Sequence, residues 1–505
     1  MKKTVKTALA LALALVMALV SIPVSALPAI EQRGGATPEW VVPEGYNAHD
    51  YDKCVGFMEQ TDASGVKNGT KLSSSYDPND PESWGSDAWG ERTFQWIGVD
   101  GELRLMIVHV AGRNLAGGLD LADCPMLSRV VCWENSITEI NVSGCPALSD
   151  LYFSGNRVSS IDVSENPALE ILSCGSNLLS EVDVSNNPEL WYLYCYDNAL
   201  SELDLSSNPA LLHLSFSDNL FTEIDLTNNP RLVSLYCTGN ELTSLDLSQN
   251  PALETINCEE NALTALDLSN HASLAILTCW ENQLEQLVLT GCTALNQLHC
   301  DTNRLTELDV STCVSLENID CSANLLGSLD LSNNPYLMAL GCMANPMRSL
   351  DLSNCPNLPL DSITARGSGY IGYFSNHDYS SGANNLYVFA SPEEGEQFEG
   401  FYDQADAFIS NGTWYSLYNA YYHYYSDAPT DITAVCAHFT GSTVLPGDAD
   451  GNGSVTVADA VLAMRCAMQL IGTDALNLAN ADIDGNGAVT IADAVAILRL
   501  AIGIA

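Results

Sequence analysis

Basic side chains are scarce in this 505-residue sequence, which has 18 lysines and arginines against 63 aspartates and glutamates. The formal net charge of −45 repels nucleic-acid phosphates and anionic lipid headgroups, so we expect neither nucleic acid nor a membrane surface as a partner. The acidity does not indicate disorder, because hydrophobic residues make up 47% of the chain. At roughly 100 to 200 residues per domain, the length predicts several structural units.

Signatures of catalysis are also missing. The sequence has no H-E-x-x-H, G-x-S-x-G or G-x-x-x-x-G-K motif, and its eight histidines are scattered. Carboxylates are so abundant that a pair of them does not identify a glycosidase. We predict a protein that is not an enzyme and assign it no catalytic residue. An active site within residues 27–100 or 363–441 stays open as the alternative.

Long apolar runs are confined to the start of the chain. Lys2, Lys3 and Lys6 precede an apolar run at residues 8–20 and the sequence V-S-A at residues 24–26. This is the arrangement of a secretory signal peptide with its cleavage site, so we predict that residues 1–26 are removed and that the protein is secreted. No later run of about 18 apolar residues could span a bilayer, and we expect no membrane insertion.

The 17 cysteines do not have the spacing of a disulfide framework. Phe153 and Phe216 occupy two places in their series, and a position that accepts Phe is a buried apolar slot. We interpret the thiols as packed side chains, because metal ligands would converge on one point. Nine cysteines differ by 21 or 42 residues: Cys132, Cys174, Cys195, Cys237, Cys258, Cys279, Cys300, Cys321 and Cys342.

A repeat of 21 residues dominates the middle of the chain. The unit LWYLYCYDNALSELDLSSNPA at 190–210 reads L-x-x-L-x-C-x-x-N-x-L-x-x-L-D-L-S-x-N-P-x and resembles the leucine-rich repeat. Its asparagines form an unbroken series: Asn114, Asn135, Asn156, Asn177, Asn198, Asn219, Asn240, Asn261, Asn282, Asn303, Asn324 and Asn345.

The repeat predicts a solenoid over residues 101–362. Each unit is too small to bury its own apolar face, so neighbouring units stack and share a core. Twelve units at a strand spacing of about 4.8 Å extend about 55 Å. We expect a short strand of each unit in a parallel sheet on the concave side, a buried Asn bonded to loop backbone, and little helix. The convex side should be turns, with Asn-Pro corners at 166, 187, 208, 229, 250 and 334.

A second series consists of aspartates from the L-D-L segment. We expect these carboxylates to face solvent or accept backbone N–H bonds, since neighbours in the series repel each other. Cation binding is the open alternative, although Asn141 and Val288 interrupt the series. Its members are Asp120, Asp162, Asp183, Asp204, Asp225, Asp246, Asp267, Asp309, Asp330 and Asp351.

The outward positions of the concave strands are rich in aromatic residues. Such residues are common at binding surfaces, so we predict that this face binds a protein or glycan; equally, aromatic residues simply suit an exposed sheet. The nearby acidic residues at 259, 260, 281 and 301 favour a basic or hydroxyl-rich ligand. The outward residues are Trp133, Tyr152, Tyr192, Tyr194, Tyr196, His213, Tyr236, Trp280 and His299.

Two segments flank the repeats. Residues 27–100 contain four tryptophans and are expected to cap the open N-terminal end of the solenoid core. Residues 363–441 contain short β-prone runs. Their pattern A-x-P-x-x-G-x-x-F-x-G-F-Y, followed by DITAVCAHF, resembles the divergent internalin B-type repeat of bacterial surface proteins. That resemblance implies a β-rich spacer or adhesive module.

The last sixty residues contain a duplicated acidic loop. DADGNGSVTVAD at 448–459 and DIDGNGAVTIAD at 482–493 place oxygens at positions 1, 3 and 5, Gly at position 6 and a carboxylate at position 12. This is the ligand pattern of a calcium loop, and we predict two structural Ca²⁺ ions. The expected ligands are Asp448, Asp450, Asn452, Ser454, Asp459, Asp482, Asp484, Asn486, Ala488 and Asp493, with Ser454 and Ala488 contributing carbonyls.

Each loop is followed by one helix and preceded by none, so residues 442–505 resemble a type I dockerin rather than a pair of full EF-hands. The resemblance implies an all-α calcium-binding domain that folds with the ion and binds a cohesin module of a scaffoldin. It also implies recognition through loop positions 10 and 11 and the following helix. The corresponding residues here are Val457, Ala458, Arg465, Ile491, Ala492 and Arg499.

The predicted fold is therefore multidomain: a leucine-rich-repeat solenoid of parallel β-sheet, a small β-rich domain and a dockerin. The predicted function is non-catalytic. The protein would dock onto an extracellular polysaccharide-degrading complex of the cellulosome type, at the cell surface or free, and present the concave face. A dockerin-borne polysaccharide hydrolase and a free secreted adhesin are the alternatives.

Overall fold

The computed structural model describes residues 40–86, 90–358, 360–366, 368–378, 383–393, 396–405, 408–410, 413–416, 419–427, 434–441, 449, 455–471, 476, 481–483 and 488–502. The predicted signal peptide lies outside the described residues. The helices are α1 (Ala48–Met58), α2 (Asn68–Leu72), α3 (Val457–Ala467) and α4 (Ile491–Ala501). None of the helices in these ranges has both the length and the apolar character needed to cross a bilayer.

Before and within the repeats the strands are β1 (Phe94–Val99), β2 (Glu102–His109), β3 (Ala116–Asp120), β4 (Arg129–Val131), β5 (Ser136–Asn141), β6 (Asp150–Tyr152), β7 (Ile171–Ser173), β8 (Tyr192–Tyr194), β9 (His213–Ser215), β10 (Ser234–Tyr236), β11 (Thr255–Asn257), β12 (Ala265–Asp267), β13 (Ile276–Thr278), β14 (Gln286–Val288), β15 (Gln297–His299), β16 (Asn318–Asp320), β17 (Ala339–Gly341) and β18 (Ser349–Asp351). After the repeats they are β19 (Ser362–Arg366), β20 (Gly369–Asp378), β21 (Ala383–Pro392), β22 (Glu396–Asp403), β23 (Phe408–Ser410), β24 (Thr413–Ser416), β25 (Asn419–Asp427) and β26 (Ala434–Gly441).

One large sheet runs along the solenoid. Its strands pair in the order β1, β2, β4, β6, β7, β8, β9, β10, β11, β13, β15, β16, β17, β20, β21, β25 and β24. From β2 to β17 every pairing is parallel, and eleven of these strands begin 21 residues apart. The predicted solenoid, with its short repeats and little helix, is confirmed.

Each repeat strand is short because only its middle residue points into the coil. In β8, Leu193 is buried while Tyr192 and Tyr194 are half-buried on the outer side. Cys195 follows the strand and is buried, as are the other eight cysteines of its series and the two Phe residues that replace them. Each fully buried leucine side chain contributes about 1.5–3 kcal/mol, and stacking adds these contributions along the coil.

The asparagine series bonds to the loops, as predicted. Asn177 donates through Nδ2 to the carbonyls of Phe153 (3.1 Å), Cys174 (3.0 Å) and Gly175 (3.1 Å), and its Oδ1 accepts from the N–H of Val158 (3.1 Å). One buried amide thus satisfies backbone groups of two consecutive coils.

The first member of that series is an exception. Asn114 is exposed, and its backbone has a φ of 54°. Its carbonyl accepts a 2.5 Å hydrogen bond from Nζ of Lys71 in α2. We call each position of such an internal series a rung. A rung is buried only when it is covered on both sides, and the N-terminal segment covers Asn114 incompletely.

The Asn-Pro steps lie in turns, but their asparagine side chains are buried rather than forming surface corners. Asn187 is fully buried, and its Nδ2 donates to the carbonyls of Val163 (3.0 Å) and Asn166 (2.9 Å). The same rung carries other residue types in the remaining coils, so it forms a second internal series. Its members are Cys124, Cys145, Asn166, Asn187, Asn208, Asn229, Asn250, His271, Cys292, Cys313, Asn334 and Cys355, all buried.

The aspartate series caps turns on the surface, as predicted. Asp162 is exposed, and its Oδ1 accepts from the N–H of Ser164 at 2.9 Å. Hydrogen bonds from the side chain and backbone of Ser164 lower the pKa of Asp162. The same contact recurs at two-residue spacing along the series, for example from Ser185 to Asp183 at 2.9 Å.

Residues 40–99 share one apolar core with the first coils. Tyr51, Phe57 and Met58 of α1 are buried together with Trp84 and Phe94, and this cluster continues into the solenoid core. The antiparallel β1–β2 hairpin begins the large sheet. In the described residues this segment packs against the first coil of the solenoid.

The β-rich segment after the repeats is attached to the solenoid rather than separated from it. Strand β20 pairs with the last repeat strand, β17, and β19 pairs with β18. Tyr373, Val388 and Phe401 are buried in the same core cluster as the repeat leucines. The described residues of this segment are rich in β-strand, as predicted, and whether it acts as a spacer or an adhesive module stays a prediction.

Candidate functional site

The two C-terminal helices begin in the same way, 34 residues apart. In the first copy Oδ2 of Asp459 accepts hydrogen bonds from the backbone N–H and the hydroxyl of Thr456, both at 2.8 Å. In the second copy Oδ2 of Asp493 accepts from the N–H (2.8 Å) and hydroxyl (2.7 Å) of Thr490. These are capping boxes, in which the Thr begins the helix and the Asp at the third helical position bonds back to it.

The second helix start is also joined to the beginning of its loop. Oδ1 of Asp493, at loop position 12, accepts a 2.9 Å hydrogen bond from the N–H of Ile483 at position 2. Asp482, at position 1, is half-buried beside it, and Ala488, at position 7, is exposed. The loop is therefore closed by the same carboxylate that caps the helix.

The closing carboxylates fit a cation site. Asp459 and Asp493 have exposed fractions of 0% and 1%. The hydroxyls of Thr456 and Thr490 and the N–H of Ile483 donate to these carboxylates, and burying an ionised carboxylate is costly unless its charge is compensated. A hard divalent cation held by oxygen ligands compensates such charges. Six predicted ligands lie outside the described residues: Asp448, Asp450, Asn452, Ser454, Asp484 and Asn486.

Helices α3 and α4 pack through small residues. Ala460 and Ala463 of α3 meet Ala494 and Ile497 of α4 in a compact cluster that also includes Ala449 and Ala481. In the described part of the chain this cluster is distinct from the solenoid core. The alanines allow the helices to approach closely, which leaves their larger apolar side chains on the outside.

The residues predicted to contact a partner are all on the surface. Val457 and Ile491 have exposed fractions of 49% and 56%. In the second copy Ile491, Ala492 and Arg499 line one groove of about 670 Å³. The remaining predicted residues, Ala458 and Arg465 of the first copy, are also exposed.

Sequence reasoning missed the middle of this face. Val461 and Val495 are 52% and 40% exposed and lie one helical turn after Val457 and Ile491. Val495 and Leu500 line the same groove as Arg499. The spacing i, i+4, i+8 in the sequence could have indicated these two valines, because it places an apolar pair and an arginine on one side of each helix.

The concave face brings some of the predicted aromatic residues together. Tyr192 and Tyr194 stack with ring centroids 4.1 Å apart, and His213 of the next strand lies 5.5 Å from Tyr192. Trp191, which sequence reasoning missed, lies 5.6 Å from Tyr192 and 6.0 Å from His213. Its position in the sequence, just before the strand, could have indicated that Trp191 lies beside these rings.

The ring of Tyr196 lies across the neighbouring coil. A Cβ atom on Gly175 would be 2.5 Å from Cε1 of that ring, so only glycine permits the contact. By register, Tyr152 and Tyr236 lie two strands on either side of Tyr194.

The other predicted aromatic residues are not part of this group. Trp133 follows β4 and Trp280 follows β13, so they lie three and four coils from Tyr196. His299 lies five strands beyond Tyr194 in the same column. All three are half-buried.

Parts of this chain are similar to known proteins. Residues 446–500 match the Dockerin type I domain. No curated protein matches the chain. Among solved structures, the functional domain of InlJ from Listeria monocytogenes is 24% identical, over 64% of this chain and 90% of that one, with a TM-score of 0.39.

Two further solved structures are similar. The leucine-rich-repeat protein LIC12759 from Leptospira interrogans is 18% identical, over 50% of this chain and 71% of that one, with a TM-score of 0.44. YopM, a leucine-rich effector protein from Yersinia pestis, is 26% identical, over 50% of this chain and 70% of that one, with a TM-score of 0.43. The predicted resemblances to the leucine-rich repeat and to the type I dockerin are confirmed: this chain combines a leucine-rich-repeat solenoid with a type I dockerin domain at residues 446–500.

Proposed function

We propose that this is a secreted, non-catalytic protein that docks through its calcium-dependent dockerin onto a cohesin module of an extracellular polysaccharide-degrading complex. The leucine-rich-repeat solenoid then presents its concave face to a ligand. The observation that carries the docking half is the duplicated helix start, with its buried closing aspartates, inside the region that matches the dockerin family. We place the protein outside the cell, at the surface or in a free complex.

The closing aspartates couple the ion to the helices. A bound Ca²⁺ supplies the positive charge that a ring of oxygen ligands needs in order to pack. Asp459 and Asp493 hold the helix N-termini through Thr456 and Thr490, and Asp493 also holds the N–H of Ile483. In the second copy the helix is therefore fixed relative to its loop by one carboxylate. Two such ions would be held by the ten ligands predicted above.

The two helices offer two similar partner surfaces. Val457, Val461 and Arg465 in α3 correspond to Ile491, Val495 and Arg499 in α4 at the same helical spacing. The apolar side chains are exposed in both copies, which is the feature expected of a protein-binding face. We infer that either copy can engage a cohesin, with the domain rotated between the two arrangements.

Capture of the mature protein by immobilised cohesin modules tests the docking half. In calcium we expect retention, and in chelator or with Asp448→Ala combined with Asp482→Ala we expect none. Asp330→Ala combined with Asp351→Ala is the matched control, because it removes two exposed carboxylates from the solenoid. Capture that persists in chelator contradicts the mechanism. A protein that no cohesin retains, while calcium still orders its tail, supports the free adhesin.

Paired substitutions test the two surfaces. Val461→Asp or Val495→Asp alone should leave capture within a fewfold of wild type, because the other copy remains. Both together should weaken capture more than about 100-fold, since each places a charge at an apolar contact. If one single variant already abolishes capture, only that copy binds.

Turnover assays test the non-catalytic half. The calcium-loaded protein should release no reducing sugar from a panel of plant polysaccharides. Turnover that a single carboxylate substitution removes would establish the alternative, a dockerin-borne hydrolase.

A further inference from the structure

We propose that the concave surface of strands β6 to β13 binds an uncharged, extended glycan chain along a row of tyrosines. This inference rests on the ligand-presenting half of the proposed function and is independent of the docking half. The aromatic residues alone do not decide which chemical class of ligand binds this surface.

The central concave strands are free of formal charge. Strands β7, β8, β9, β10, β11 and β13 contain no Asp, Glu, Lys or Arg. Charged residues make up 16% of the chain, whose net charge is −45, so a neutral area of six strands stands out from its surroundings. Acidic groups flank these strands: Glu170 and Glu254 precede strands, and Glu259 accepts a 2.8 Å hydrogen bond from Thr278. Asp197 and Asp218 lie in the turns that follow β8 and β9.

The tyrosines of this surface recur on alternate coils. The register aligns Tyr152, Ser173, Tyr194, Ser215 and Tyr236 in one column. Neighbouring strands are about 4.8 Å apart, so successive tyrosines are about 10 Å apart. That spacing is on the scale of a disaccharide unit in an extended chain. The residues between them are serines, of which Ser173 is half-buried and Ser215 buried, so the tyrosines carry the large side chains of the column.

The aromatic side chains are held in place before any ligand arrives. Tyr194 stacks on Tyr192 at 4.1 Å, and Tyr192 contacts His213 at 5.5 Å. The ring of Tyr196 fits against the bare backbone of Gly175. Burial and the hydrogen bond with Tyr192 raise the pKa of Tyr194, so its hydroxyl keeps its proton as a donor. Rigid rings lose little conformational entropy on binding.

Neutrality favours a glycan over a protein partner. A protein that binds this acidic chain would be steered by basic groups, and its contact surface should meet carboxylates. The central strands instead offer ring faces, hydroxyls, the amide of Asn257 and the imidazole of His213. Apolar faces of pyranose rings pack on aromatic rings, and sugar hydroxyls exchange hydrogen bonds with such groups.

Affinity electrophoresis of the mature, calcium-loaded protein tests the inference. The probes are hydroxyethyl cellulose and glucomannan as neutral glycans, polygalacturonate as an anionic glycan and polylysine as a basic polypeptide. We expect retardation by at least one neutral glycan and none by polygalacturonate. Tyr194→Ala combined with Tyr236→Ala should weaken the neutral interaction at least about tenfold, since two ring platforms are lost.

Three variants make the result specific. Tyr194→Phe combined with Tyr236→Phe keeps the rings and should retain most of the affinity. Tyr336→Ala removes a tyrosine that is 64% exposed in a turn away from the sheet, and should bind as wild type. Tyr152→Ala, at the outer end of the row, should weaken binding severalfold and serves if the double alanine variant does not fold.

The inference is overturned if neither neutral glycan retards the protein, or if the alanine variants migrate as wild type does. It is also overturned if polylysine binding alone depends on Tyr194 and Tyr236, because the face would then recognise a basic polypeptide.

The docking half is tested separately. Asp448→Ala combined with Asp482→Ala should lose cohesin capture and keep glycan binding, so either half can fail alone.

Discussion

Asp50 of helix α1 accepts two hydrogen bonds from the guanidinium of Arg104 in strand β2, at 2.7 Å from Nε and 2.9 Å from Nη2. Its Oδ2 also accepts from the N–H of Leu105 at 2.9 Å, and its side chain is fully buried. This carboxylate joins the N-terminal segment to the first strand of the solenoid sheet. Burial alone would raise the pKa of Asp50, but the hydrogen bonds outweigh that effect and lower it.

Removing this carboxylate should detach the N-terminal segment. We expect Asp50→Ala to reduce the free energy of unfolding by about 3–5 kcal/mol, because it leaves Arg104 and the Leu105 amide without their partner. Urea unfolding followed by tryptophan fluorescence measures the change. Glu82→Ala is the control: it breaks the pair with Arg92, whose side chains are 52% (Arg92) and 63% (Glu82) exposed, and should cost less than about 1 kcal/mol. Equal losses in both variants would contradict this account.

The same contact has a pH dependence of defined sign. The folded pKa of Asp50 lies below its unfolded value of about 3.9, so its contribution to stability is complete above that value. The contribution is lost as the pH falls from there through the folded pKa. The stability difference between wild type and Asp50→Asn should therefore be constant near neutrality and shrink below about pH 4. A difference that grows in acid would show that the hydrogen bonds are not to the ionised form.

The asparagine series provides a matched pair of substitutions. Asn177→Ala removes one acceptor and three donor contacts inside the coil and should cost several kcal/mol, at about 1–3 kcal/mol for each buried group left unsatisfied. Asn114→Gly changes the same residue type at the exposed first rung, where glycine suits the φ of 54°, and should cost less than about 1 kcal/mol. Chemical unfolding of both variants measures the two losses of stability. Similar losses would mean that burial of the asparagine does not determine its contribution to stability.

The repeat made the solenoid predictable, because a 21-residue period fixes which positions face inward in every coil. Asn177 and Cys195 could be placed from spacing alone. The second internal series was not predicted because its residue type changes from coil to coil. Asn250, His271 and Cys292 occupy the same position in successive coils, and a search for one repeated residue type does not connect them. An amide, an imidazole and a thiol each reach a buried carbonyl of the preceding coil at this position, so the fold tolerates all three.

Features that depend on contacts between coils could not be predicted. Spacing placed Tyr196 on the concave side, but only the structure shows its ring across Gly175. Likewise, residues 363–441 were predicted to be β-rich as a segment, whereas the pairing of β20 with β17 depends on the shape of the coil end. At the dockerin, sequence identified the loop positions, and the capping bonds of Asp459 and Asp493 required coordinates.

The thiols should be unreactive in the folded protein. Sixteen of the 17 cysteines are buried, and Cys436 is partly accessible. Burial raises the pKa of Cys195 to about 12, so almost no thiolate is present at neutral pH. Titration with a chromogenic disulfide reagent should detect at most about one fast thiol in native protein and all 17 in denaturant. Several fast thiols in the native state would contradict the interpretation of the cysteines as packed, buried side chains.

Gly372 of strand β20 tests whether the β-rich segment closes the solenoid. A Cβ atom at this position would lie 2.9 Å from the Cα of Met343 in the last coil. The adjacent backbone is bonded to that coil, with Cys342 N donating to Tyr373 O at 2.8 Å. Gly372→Val should push β20 off the coil end, lower the melting temperature and expose the buried Cys342 to thiol labelling.

The control for that substitution is Gly98→Val, in strand β1, where a Cβ atom meets nothing within 4 Å. It should leave melting and labelling unchanged, because valine suits an exposed strand position. Labelling of Cys342 followed by peptide mass analysis separates local opening from global unfolding, since opening at this end leaves Cys195 protected. If Gly372→Val melts as wild type does and Cys342 stays protected, β20 does not hold the end of the core. The β-rich segment would then be a spacer or adhesive module that does not contribute to closing the solenoid.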